Sequence, residues 1–229
     1  MNSKHLLAAA ALAVSLSPAK AITVTFDDLP NPPALTGAVD IQEAIGTGSL
    51  FDGVMWGSNV EVVGRLSRVD PGTPGPVFGL PHSGDYFITN GGNGAQGVSL
   101  TTTQVLTGAW FGEVQYYGFV GSVGADQITI NALHNGTTLA SITYDLPRTA
   151  AGYDVAQPEP MTFVDTSSFE SLSGITGYTI DHHAPAQFAD NWAADDFEFV
   201  SAAVPEPAAM GWVTGVLTLG FVIGRRCRR

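Results

Sequence analysis

Two pairs of adjacent aspartates, Asp27-Asp28 near the start of this chain and Asp195-Asp196 near its end, are the residues best placed to do chemistry together. Residues 22–26 alternate apolar and polar, so Val24 and Phe26 share one face of a strand and Asp28 extends it by the period of two. Phe197 and Phe199 facing inward put Asp195 on the core face of a late strand by the same rule. The first and last strands of a sandwich often pair. Run antiparallel, they would bring Asp28 to Asp195 and Asp27 to Asp196 on the opposite face. Carboxylates that close repel unless a cation or a raised pKa relieves them. A structural Ca2+, with its about six to eight oxygen ligands, is the cofactor Asp27, Asp28, Asp195 and Asp196 suggest. The alternative is four hydrated turn residues.

Other candidates carry less. His182 and His183 are neighbours on a strand, so their side chains leave opposite faces and cannot chelate one ion together. Trp56, Trp110, Tyr116, Tyr117, Tyr153 and Trp192 could stack on sugars, although most belong in a core. No Gly-x-Ser-x-Gly elbow accompanies the serines. The single cysteine, Cys227, lies in the basic tail and leaves the domain without a thiol nucleophile or an internal disulfide. Gly91-Gly92-Asn93-Gly94 lacks the lysine and helix of a phosphate loop. Asn135-Gly136-Thr137 fits a glycosylation sequon, but Asn-Gly is first of all a hairpin turn. No catalytic residue stands out, and a non-enzymatic protein is expected.

The elements that would position these residues read as β throughout. Short alternating or β-branched runs at 22–26, 59–66, 85–89, 97–101, 113–120, 127–133, 138–144, 161–164, 175–181 and 195–200 are separated by turn residues. With 27 Gly, 14 Pro and 13% charged residues, the composition suits an all-β, turn-rich domain. An antiparallel β-sandwich, jelly-roll-like, is the predicted architecture over residues 22–203. Between Ile22 and Val204 only Arg65, Arg68 and Arg148 oppose 20 acids, a formal charge of −17 (3 − 20). Such a surface repels phosphate backbones, which disfavours nucleic acid as a partner.

The two ends read as processing segments. Residues 1–21 carry Lys4, an Ala/Leu-rich stretch of about 11 residues (only ~17 Å of helix) and then Ala19-Lys20-Ala21, with small residues at −3 and −1 of a signal-peptidase cut after Ala21. At the other end Pro205-Glu206-Pro207 precedes a 17-residue uncharged run, 208–224, and then Arg225, Arg226, Cys227, Arg228 and Arg229. That run makes ~26 Å of helix, near the lower limit for one transmembrane helix, and four arginines would hold the tail in the cytoplasm. Two prolines keep the tripeptide extended, the form a protease-like cleft can grip.

Residues 204–229 resemble, part for part, the PEP-CTERM sorting signal of exopolysaccharide-producing Gram-negative bacteria. The resemblance implies an inner-membrane-anchored precursor, cleavage near Pro205, Glu206 and Pro207 by an exosortase, and transfer to the cell surface or extracellular matrix. Many ectodomains of that family open on a strand ending like Phe26-Asp27-Asp28. They close on a segment like Asp190-Asn191-Trp192-Ala193-Ala194-Asp195-Asp196-Phe197, which suggests a carbohydrate-binding-like sandwich. The expected function is therefore an exported, non-catalytic adhesion or polysaccharide-associated module, with exosortase and signal peptidase as processing partners and exopolysaccharide as ligand. The alternatives are a polysaccharide-active hydrolase or lyase on the same fold, and a single-pass protein that keeps its anchor.

Overall fold

Apolar side chains at every second position of residues 128–132 give an extended segment one buried and one wetted face, and this pattern recurs along the chain. A computed structural model describes residues 21–35, 41–43, 49–57, 60–66, 80–90, 97–113, 124–147, 160–183 and 192–201. Within them lie thirteen strands: β1 (Ala21–Val24), β2 (Ile41–Glu43), β3 (Ser49–Phe51), β4 (Val54–Trp56), β5 (Glu61–Gly64), β6 (Tyr86–Thr89), β7 (Val98–Thr101), β8 (Val105–Glu113), β9 (Gln127–His134), β10 (Thr137–Asp145), β11 (Thr162–Asp165), β12 (Gly177–His183) and β13 (Trp192–Val200). One 3-10 turn, Ser167–Ser171, is the only helical element among the described residues.

The strands form two antiparallel sheets. The first runs β11-β8-β13-β6-β5-β2, with β1 also on β13; the second runs β10-β9-β12-β7-β4-β3. Phe111, Phe197, Phe199 and Trp192 from the first, with Phe26 just beyond the end of β1, meet Trp56, Leu100, Ile128, Ile130 and Tyr178 from the second in one buried core. Trp56 and Phe197 pack edge to face across the sheets at 5.1 Å between ring centres. Each such side chain removed from water contributes roughly 1.5–3 kcal/mol. Tyr178 fastens the layers: its hydroxyl on β12 accepts the Leu106 N–H of β8 at 2.9 Å and donates to the Gln104 carbonyl at 3.1 Å. Burial pushes that phenol up to about 12.

The all-β reading holds, with informative differences. Asn135 (φ 49°) and Gly136 (φ 80°) form the expected turn, both central residues left-handed as type I′ requires. The expected strand at 113–120 begins earlier, as β8 at Val105; residues 114–120 lie outside the described set. Gly108 and Gly112 interrupt its alternation and disguise it in the sequence. Gly108 carries no side chain where a Cβ would sit 2.1 Å from the Phe163 ring of β11. Strands β2, β3 and β4 span three residues each, too few for a period to register. Among the described residues no helix is long and apolar enough to cross a membrane; the expected span at 208–224 lies outside them.

Candidate functional site: a carboxylate knot beside an aromatic row

β13 occupies the middle of its sheet, and one of its edges changes partner along its length. Ala193 and Ala194 pair with Thr89 and Ile88 of β6, whereas Phe197 through Val200 pair with β1. The end of β1 and the approach to β6 therefore meet at Asp195 and Asp196. There β13 bulges: its register against β8 slips between Asp195 and Glu198, and Asp196 adopts φ 46°, a left-handed conformation that asparagine and aspartate tolerate better than most residues.

The bulge inverts the expected facing. Trp192 and Ala194 point into the core before it and Phe197 and Phe199 after it, so the inward parity changes from even to odd. Asp195 is consequently on the outer side rather than sharing the face of Phe197. The expected pairing of Asp28 with Asp195 is also corrected. β1 stops at Val24 and the chain turns over residues 26–28, so the two-residue period lapses; Asp27 lies near Asp195, and Asp28 is exposed.

Residues 82–85 are tied down by these carboxylates. The Ser83 N–H donates to Asp195 Oδ2 at 3.0 Å, the Ser83 hydroxyl to Asp196 Oδ1 at 2.9 Å and the Asp85 N–H to Asp27 Oδ1 at 2.7 Å. His82 Nδ1 lies 2.7 Å from Asp196 Oδ2; a carboxylate can only accept, so this nitrogen carries the proton. The Asp196 N–H donates to Asp195 Oδ1 at 2.8 Å, and Arg65 pairs with Asp85. Gly84, at φ +58°, is the residue that fits between: a Cβ there would lie 1.8 Å from Asp27 Oδ2. Burial, with the charges of Asp196 and Asp27 adding to it, pushes the Asp195 carboxyl up to about 7 despite the N–H bonds it receives from Ser83 and Asp196.

The calcium expectation does not fit this arrangement. The oxygens of Asp27, Asp195 and Asp196 accept N–H and O–H bonds, Asp28 stands apart, and among the described residues no group of three or more His, Cys, Asp or Glu is placed to hold a metal ion. The arrangement is also not a serine–histidine relay. His82 and Ser83 both bond to Asp196, so the imidazole is not positioned as a base on the hydroxyl.

Beside the knot lies an aromatic row. The register sets Phe163 of β11, Trp110 of β8 and Asp195 of β13 side by side. His82 stacks on the Trp110 ring at 3.5 Å and 10° between planes, and Phe163 lies 5.5 Å from it. Trp110 and Phe163 are half-buried. The row two residues along the strands holds Asp165, Gly108, Glu198 and Thr23. Hydrogen bonds from Ser167 hold the exposed Asp165 carboxyl below the usual range.

Of the other aromatic candidates, Trp56 and Trp192 are fully buried, and Tyr116, Tyr117 and Tyr153 lie outside the described residues. His183 is exposed and bonds to Asp126 at 2.8 Å; His182 is half-buried on the other face, as strand geometry requires. Ala21 begins β1 opposite Val200. Ala19, Pro205, Glu206, Pro207, Arg225, Arg226, Arg228 and Arg229 lie outside the described residues. Sequence reasoning missed His82, Ser83, Gly84, Asp85 and Phe163; the one local signal was Ser83-Gly84-Asp85, a turn tripeptide before a strand. No family model, curated protein or solved structure matches the chain.

Proposed function

We propose that this chain is an exported protein, sorted by an exosortase to the cell surface or matrix, whose all-β domain is a non-catalytic adhesion or polysaccharide-associated module. The observation that carries the reading is the order at the C-terminus: Pro205-Glu206-Pro207, seventeen uncharged residues, then four arginines around Cys227. The proposal includes a signal-peptidase cut after Ala21, a transmembrane helix over 208–224 in the precursor, and a jelly-roll connectivity for the domain.

The position of the terminal strands supports it. Ile22 pairs with Phe199 and Ala21 with Val200, so a cut after Ala21 removes one end pair and leaves Ile22, Thr23 and Val24 on β13. A cut near Pro205 falls beyond Val200, outside every described strand. Both processing events would spare the core. The half-buried rings beside carboxylates supply the kind of surface on which a sugar rests its C–H face and bonds its hydroxyls. Mass spectrometry of the mature protein tests the sorting. A new N-terminus at Ile22 and a C-terminus near Pro205–Pro207 are expected, lost when Pro205, Glu206 and Pro207 are replaced by alanine. An intact Arg229 end in the native host would instead establish the anchored single-pass alternative.

A further inference from the structure

We infer that the row of Phe163, Trp110 and His82, flanked by Glu198 and Asp165, is a binding site for an amine-bearing sugar within a cationic polysaccharide. This rests on the polysaccharide-associated reading above and assigns it a place and a ligand class. Three strands contribute to one outward patch. Phe163 and Trp110 are direct neighbours across β11 and β8, and His82, pinned by Asp196, stacks face to face on Trp110 and leaves Phe163 as the open ring of the group. The absent side chain of Gly108 lets the Phe163 ring lie down over the strand next to it. A pyranose has an apolar C–H face that such rings match.

The rings alone would serve a neutral sugar as well as a charged one; the surrounding charge selects between them. Asp165 and Glu198 sit about 6–7 Å along the strands from the ring row, within reach of a substituent on a stacked sugar. Asp196 borders the row on its other side. The nearest described guanidinium, Arg65, is paired with Asp85, so it does not offset these carboxylates toward a ligand. A formal −17 across residues 22–204 draws polycations and repels polyanions. An ammonium group beside carboxylates and a ring face gains both charge-assisted hydrogen bonds and cation–π attraction. The outer face of the second sheet makes the contrast. There Ser141 donates to Asn131, and Asn131 to Thr179 and Asp181, in a polar lattice of side-chain hydrogen bonds.

The test is calorimetric titration of the full chain, purified in detergent, with chitosan oligosaccharides, their fully N-acetylated counterparts and oligogalacturonates. The free-amine sugars should bind, the N-acetylated ones about tenfold more weakly, and binding should fade at about 0.5 M salt. Phe163→Ala should weaken binding about tenfold and Glu198→Gln about two- to fivefold, with Ser141→Ala unchanged. Trp110→Phe, which keeps a ring, should retain most of the affinity and guards against a folding artefact. Equal affinity for amine and N-acetyl forms overturns the ligand class while sparing the polysaccharide reading. Affinity untouched by both Phe163→Ala and Glu198→Gln overturns the location. Binding of none of the sugars overturns both the inference and the polysaccharide association, without touching the sorting.

Discussion

Asp195 takes on its character from neighbours that arrive from three separate parts of the chain. Its carboxyl is fully buried, receives two backbone N–H bonds and shares its surroundings with the carboxylates of Asp196 and Asp27. Because its pKa in the fold (about 7) lies above the ordinary value of 3.8, the native state binds the proton more tightly than the unfolded chain. Stability therefore gains on acidification through the interval between those values and declines as pH rises toward and past 7. Thermal melts from pH 8 to 5.5 should show the melting temperature rising, and Asp195→Asn should flatten that slope. Gly84 makes a second residue-scale case: its φ of +58° and the 1.8 Å approach of Asp27 exclude a methyl group twice over. Gly84→Ala should cost at least about 2 kcal/mol in denaturant unfolding, with the His82–Asp196 bond broken as residues 82–85 shift.

The elements differ in how far their own sequence specifies them. The β9–β10 hairpin carries its turn in Asn135-Gly136 and its alternation in both arms, and nothing lies within 4 Å of a Cβ added at Gly136. Gly136→Ala should accordingly cost only the left-handed backbone penalty, about 1 kcal/mol, well below the loss at Gly84 despite a similar φ. Denaturant titration of both variants separates conformational cost from steric cost. β8 is the opposite case: its glycines read as breaks, yet Phe163 needs the space at Gly108, and Met161 lies 3.2 Å from where a Cβ of Gly112 would stand. The period of two is a property of a regular strand, so it could not foretell the bulge at Asp196, which exchanges one face for the other.

For the whole molecule, the last strand sits inside the first sheet, hydrogen-bonded to β8 along one edge and to β6 and then β1 along the other. A protein ending at residue 191 would lack Trp192, Ala194, Phe197 and Phe199 from its core and split the sheet that holds β8 and β6. Circular dichroism and thermal melts should find it unfolded, whereas a protein spanning residues 22–201 should melt within a few degrees of one that also carries the 202–207 segment. A cooperative melt from the 1–191 truncation would contradict the central role of β13.

Composition, alternation and turn residues determined the all-β class, most strand positions and the hairpin, because these follow from local backbone preference and from which side chains water excludes. They also sufficed to suggest that the first and last strands lie together. Only the tertiary structure decided which carboxylates meet. One left-handed aspartate reverses the facing of β13, and a turn after Val24 substitutes Asp27 for Asp28. The aromatic row was equally hidden, since Phe163, Trp110 and His82 are brought together by strand register and a loop contact. Local sequence sets the conformation of each segment; the proximity of distant segments is set by how their faces pack.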